Sequence, residues 1–141
     1  MERKLKHLEF IQAAISRMAT NSFLFKGWAV TIAAALSAFA AVESRVALLA
    51  IAIASTTMFW AMDGYYLWLE RGFVYLHKEV AAKSENEIDF SMRIEKAHAV
   101  RRWLKTCLRP HLWAFYGTII LVDVIGIVAI KSSKYGTTCI F

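Results

Sequence analysis

The chain has 141 residues, 58% of them hydrophobic and only one a proline, with a net charge of +6 at pH 7. That apolar share is above what soluble domains use, and its long apolar runs leave no space for a separate globular domain of ordinary size. The composition excludes an ordinary soluble domain. The surplus of Lys and Arg is read as membrane topology and attraction to anionic lipid, with no nucleic-acid partner expected.

Residues 1–22 are expected to form an interfacial amphipathic helix. Leu5, Leu8, Ile11, Ile15 and Met18 recur at steps of three and four, with Lys4, Glu9 and Arg17 elsewhere on the wheel. Such a helix lies in the headgroup region with its apolar face among acyl chains. Thr20, Asn21 and Ser22 then interrupt the pattern and offer side-chain caps for a second helix, so a break is expected at Asn21. The first long apolar run starts too late, and is too long, to be a cleaved signal peptide.

Apolar runs over residues 23–42, 46–68 and 112–130 each approach the roughly 20 residues that cross a bilayer core about 30 Å thick. Glu43, Ser44 and Arg45 are the whole connection between the first two, which makes residues 23–68 an antiparallel transmembrane hairpin. In the second run Ala47, Ala50, Ala54, Thr57, Ala61 and Gly64 form a row of small residues, answered in the first by Ala29, Ala33, Ser37 and Ala41. Small residues let helices approach closely in lipid. The row reads as the seam of the hairpin, or as one that also packs against other subunits.

Residues 69–109 are expected to form a cytoplasmic helical hairpin, with a turn between Lys83 and Asp89 and a second helix from about Ser91 to Leu108. Pro110 then opens the third span, residues 110–131, and residues 132–141 form an external tail too short and polar to fold alone. Lys and Arg crowd before the first run and through the middle segment, so the N-terminus and that segment are placed in the cytoplasm and the C-terminus outside. Trp28, Trp60, Trp68, Trp103, Trp113, Tyr65, Tyr66 and Tyr116 gather at the same ends of the spans, as an aromatic belt would. Cys107 and Cys139 flank the third span and fall on opposite faces, which rules out a disulfide within the chain. Cys139 is either a free thiol or a link to another chain.

Asp123 is the first candidate for function, since it lies about 16 Å along the helix from Leu112 and a carboxylate at mid-bilayer costs about 2.5–3.5 kcal/mol on insertion scales. It either lines a pore or ion path or is held by Ser37, Thr57 or Thr118. Asp63 is matched in depth by Lys26, and the two are expected to form an ion pair, structural or gating, with Tyr66 as a further donor. Arg101, Arg102, Lys105 and Arg109 form a basic cluster that contacts anionic lipid or an anionic ligand such as a signalling nucleotide. No phosphate loop, no metal-ligand spacing among His7, His77, His98 and His111, and no activated nucleophile is visible. The chain is expected to be no enzyme and to need no cofactor.

The segments "HLEFIQAAISRMATNSFLFKGW" and "FWAMDGYYLWLERGFVYLHKEV", with an alanine-rich run between them, resemble a widespread set of small, largely uncharacterised bacterial inner-membrane proteins. The likeness rests on residues 7–12, Asn21-Ser22-Phe23, Lys26-Gly27-Trp28, Asp63, Tyr65-Tyr66-Leu67 and Glu70-Arg71, and stops near Val80. It implies an amphipathic N-terminal helix, a transmembrane hairpin and a charged cytoplasmic helix. Similar helical membrane proteins serve as oligomeric effectors that disrupt or depolarise membranes in phage defence. The expectation is therefore an all-α, three-span, homo-oligomeric inner-membrane effector, triggered by a cytoplasmic protein or a small signalling ligand. A non-conducting scaffold or accessory subunit and a small proton-coupled transporter are the alternatives.

Overall fold

The computed structural model describes residues 2–94 and 99–138, and it is helical with no strand among them. The elements are α1 (Glu2–Glu43), α2 (Val46–Ala82), a single 3-10 turn (Glu85–Glu87), α3 (Ala99–Cys107) and α4 (Pro110–Thr138). By length and apolar composition α1, α2 and Pro110–Lys134 of α4 can each cross a membrane.

The break expected at Asn21 is absent, because α1 runs unbroken through Thr20, Asn21 and Ser22. No proline or glycine precedes Gly27, and the helix penalty of three polar residues is a few tenths of a kcal/mol each. Burial of one continuous stripe on α2 outweighs it: His7, Ile11, Ala14, Ser22, Ala29, Ala33 and Ala40 are all buried. The N-terminal segment is thus not a separate interfacial helix. Its Leu8, Ile11 and Ile15 pack on Phe73, Leu76, Val80 and Ile88, while Leu5 is 56% exposed.

At about 1.5 Å per residue α1 and α2 are roughly 63 and 55 Å long, far more than the hydrocarbon core requires. They turn back on each other through Ser44, whose φ of 52° is left-handed, and the Arg45 N–H reaches the Ala40 carbonyl at 3.3 Å. This is the six-to-one bond of a Schellman cap. At the far end the Lys4 ammonium donates to the Ala81 and Lys83 carbonyls, each at 2.8 Å, covering the open C-terminus of α2. The hairpin is therefore fastened at both ends.

The second helix of the middle segment is shorter than expected. Asp89 accepts the Ser91 N–H at 3.0 Å and Ser91 accepts the Arg93 N–H at 3.4 Å, local bonds that compete with a helix, and residues 91–94 are non-helical. Phe90, at φ 56°, turns the chain there. α3 then docks on α2: the Trp60 and Trp103 indole N–H groups donate to the Cys107 and Ala61 carbonyls at 2.9 and 3.0 Å. Gly64 abuts the Cys107 sulfur with no room for a Cβ.

α4 packs on α2 and, less extensively, on α1. Its inward positions Leu112, Tyr116, Ile119, Asp123, Gly126 and Ile130 follow four-three steps, the seam of a left-handed bundle. Gly126 brings α4 close enough to α2 that an added Cβ would lie 3.1 Å from Leu49. The tail expected from residue 132 is helical over most of its length, as a continuation of α4. α4 continues to Thr138, each added residue extending an existing hydrogen-bond ladder. His98 and Cys139 lie outside the described residues.

Candidate functional site

All three long helices send polar side chains to one place. α1 supplies Ser22 and Lys26, one turn apart on its buried stripe; α2 supplies Asp63; α4 supplies Tyr116. Asp63 has no exposed surface. Its Oδ1 accepts the Ser22 hydroxyl, and its Oδ2 accepts the Lys26 ammonium at 2.6 Å and the Tyr116 hydroxyl at 3.0 Å. Lys26 also donates to the Ser22 oxygen at 2.9 Å. A buried carboxylate is tolerated when charge and hydrogen bonds both meet it, and here three donors do. The Lys26–Asp63 pair is in place. Tyr66, the donor expected from its spacing, instead lies against Phe25 with ring centroids 5.4 Å apart.

Tyr116 was legible only as part of the aromatic belt, yet it is fully buried and Trp60 stacks on it at 6.1 Å. Trp28 and Trp113, by contrast, face outward at 57% and 60% exposure. The four-three rhythm of α4 is the signal that separates Tyr116 from them, since it puts Tyr116 on the same stripe as Asp123.

Asp123 is buried, and Ser37 is the partner that holds it, Oγ to Oδ1 at 2.6 Å. Thr118 and Thr57, its other expected partners, bond to the Ala114 and Ile53 carbonyls of their own helices. Asp123 Oδ2 is buried with no hydrogen-bond partner among the described residues, and so is the Thr56 hydroxyl on α2. Tyr116 meets Asp63 at one level of the α2–α4 contact and Gly126 meets Leu49 at another. Thr56 and Asp123 fall between those levels. Lys26, Asp63, Tyr116, Thr56, Asp123 and Ser37 thus form a polar line inside an apolar three-helix core. Two of its groups have unused hydrogen-bonding capacity.

The small-residue row divides. Ala61 and Gly64 serve α3, through Trp103 and Cys107, whereas Ala47, Ala50, Ala54 and Thr57 are exposed. The hairpin seam lies one step round the helix, on Leu49, Ala52, Thr56 and Asp63. Both rows have helical spacing, and the polar content of the second hid it. As a seam within the chain, the first row is corrected for those four residues; they remain an uncovered face.

Of the basic cluster, Arg102, Lys105 and Arg109 line a cavity between α2, α3 and the preceding loop, while Arg101 does not. His7 is, like Thr56 and Thr106, a buried polar residue to which the sequence assigned no role. It is 1% exposed, lies 5.2 Å from the Phe90 ring, and neither ring nitrogen has a partner among the described residues. Its place one turn before Ile11 on the buried stripe was the available signal. Removing a buried polar group that lacks a partner stabilises. His7→Leu is therefore expected to raise stability by about 1 kcal/mol, seen as a higher midpoint of thermal unfolding in detergent. A lowered midpoint contradicts this account of the ring.

Outside the bundle, the loop after α2 is set by local charge. Glu79 raises the Lys83 pKa through their 2.8 Å pair, and the Ser84 N–H and hydroxyl lower that of Glu87. No protein-family model, curated protein or solved structure matches the chain.

Proposed function

We propose that this chain is an oligomeric inner-membrane effector that permeabilises or depolarises the bilayer, with its N-terminus and α3 on the cytoplasmic side and the end of α4 outside. The observation that supports this reading is the polar line. Two carboxylates are carried into the apolar core of three candidate spans, and one retains a buried oxygen without a hydrogen-bond partner among the described residues. Intramembrane ionisable groups of this kind mark ion and proton routes. Asp63 with Lys26 acts as an inner gate, and Asp123 contributes to the path beyond it. A setting in phage defence follows from the resemblance of residues 7–71 alone.

Induction of the intact chain in bacterial cells tests the reading with a potential-sensitive dye. The wild type is expected to collapse the membrane potential within minutes. Asp123→Asn, expressed to the same level in the membrane fraction, is expected to leave it intact. An unchanged potential with the wild type sinks the proposal, as does equal collapse with Asp123→Asn.

The uncovered Ala47, Ala50, Ala54 and Thr57 face favours a second reading, a non-conducting accessory subunit that packs this row against another membrane protein. A cysteine at Ala54 separates them: crosslinks between copies of the chain fit the oligomer, and crosslinks only to a different protein fit the accessory subunit.

A further inference from the structure

A cavity of about 860 Å³ opens where α2 leaves the apolar core, between Trp68–Glu79 of α2, Arg93 and Ile94 of the loop, and Arg102–Arg109 at the α3–α4 corner. Its charge is one-sided. Arg71, Arg93, Lys105 and Arg109 line it together with Arg102, and among the described residues of the wall the single acidic one is Glu79. That carboxylate is already bound by Lys83, 2.8 Å away and outside the lining. Glu70, one residue before Arg71, is not among the lining residues.

The cavity has been shaped as well as charged. Arg71 is half-buried and its guanidinium donates to the Thr106 hydroxyl at 3.2 Å, which fixes its direction. Gly72 lets Ile94 lie directly against α2, where a Cβ would collide with it, so the loop closes one side. Trp68 and Tyr75 supply aromatic surface, Tyr75 at 71% exposure. Clustered guanidinium groups with a fixed fork match phosphate oxygens, and basic pockets at the membrane boundary take phosphorylated headgroups.

We propose that this cavity is a binding site for a phosphate group, held by Arg71, Arg93, Lys105 and Arg109, with the rest of the ligand against Trp68 and Tyr75. The same chemistry is offered by the headgroup of an anionic phospholipid and by a soluble nucleotide. The site is independent of the leak reading, because it lies outside the polar line and its test measures binding.

The purified full chain in phosphatidylcholine nanodiscs is titrated with ADP and with inorganic pyrophosphate, followed by tryptophan fluorescence. In parallel, its thermal unfolding is compared between phosphatidylcholine discs and discs containing one-third phosphatidylglycerol. Saturable binding of ADP or pyrophosphate identifies a soluble ligand, and stabilisation only by phosphatidylglycerol identifies a lipid. In either arm Arg71→Gln is expected to weaken the response at least tenfold. Arg101→Gln, the same charge change outside the cavity, is expected to leave it unchanged. Lys105→Gln, at an exposed position, gives a second reading that does not depend on the packing of Arg71. The proposal is overturned by no response in either arm, or by equal losses from Arg101→Gln and the cavity variants, which indicate diffuse surface charge.

Discussion

Asp63→Ala is expected to destabilise the helix bundle by about 3–5 kcal/mol, the cost of stranding one member of a buried ion pair. The loss is read as the shift of a reversible unfolding titration in mixed micelles. The size of the effect comes from what is left behind. Lys26 keeps a charge that was neutralised at 2.6 Å, and the Ser22 and Tyr116 hydroxyls lose their acceptor in the same step. Because those three groups sit on α1 and α4, one side chain of α2 holds the three long helices in register. The control is the pair Lys26→Met with Asp63→Leu. Replacing both charges by apolar groups of similar shape is often neutral or stabilising, so the double variant is expected to recover more than half the loss. A loss below about 1 kcal/mol for Asp63→Ala places the cluster in solvent and removes its role as the knot of the bundle.

The Lys26–Asp63 match shows what kind of structure this sequence discloses. The number of candidate spans, the tight turn after the first and the start of α4 at Pro110 follow from the apolar runs and one proline, signals that act along the chain. Opposed depth on a tight hairpin is nearly as direct, because a connection of only Ser44 and Arg45 fixes the register of the two helices. Ser37 was identifiable as one of several hydroxyls near the level of Asp123 from its depth within its own apolar run. What remained hidden depends on rotation. Residues 47, 50, 54 and 57 and residues 49, 52, 56 and 63 are both helical rows, and only packing against α1 and α4 selects the second. The continuity of α1 was hidden by a different competition: polar residues at 20–22 signal a break locally, but the Ser22 hydroxyl is used by Asp63, forty-one positions away. A cavity assembled from α2, α3 and a loop has no signature at all along the chain beyond the basic residues on α3.

Asp123→Leu is the variant with the largest expected effect of opposite sign. Leucine has the branched shape of aspartate, so the substitution exchanges two carboxylate oxygens for two methyl groups at a site already within the α4 seam. At mid-bilayer a leucine is more favourable than an aspartate by about 3 kcal/mol on insertion scales. One of the oxygens lost has no hydrogen-bond partner among the described residues, and the other leaves a single hydroxyl, Ser37, that can turn to a carbonyl of its own helix. The bundle is therefore expected to unfold at higher denaturant in the Leu variant than in the wild type, the reverse of Asp63→Ala. Depolarisation in cells is expected to be lost at the same time. Those two results together separate the roles of the acids: a carboxylate whose removal strengthens the fold is kept for what it does, whereas Asp63 is kept at least partly for what it holds. If Asp123→Leu weakens the fold as much as Asp63→Ala does, the Ser37 bond is structural and the path through Asp123 is withdrawn.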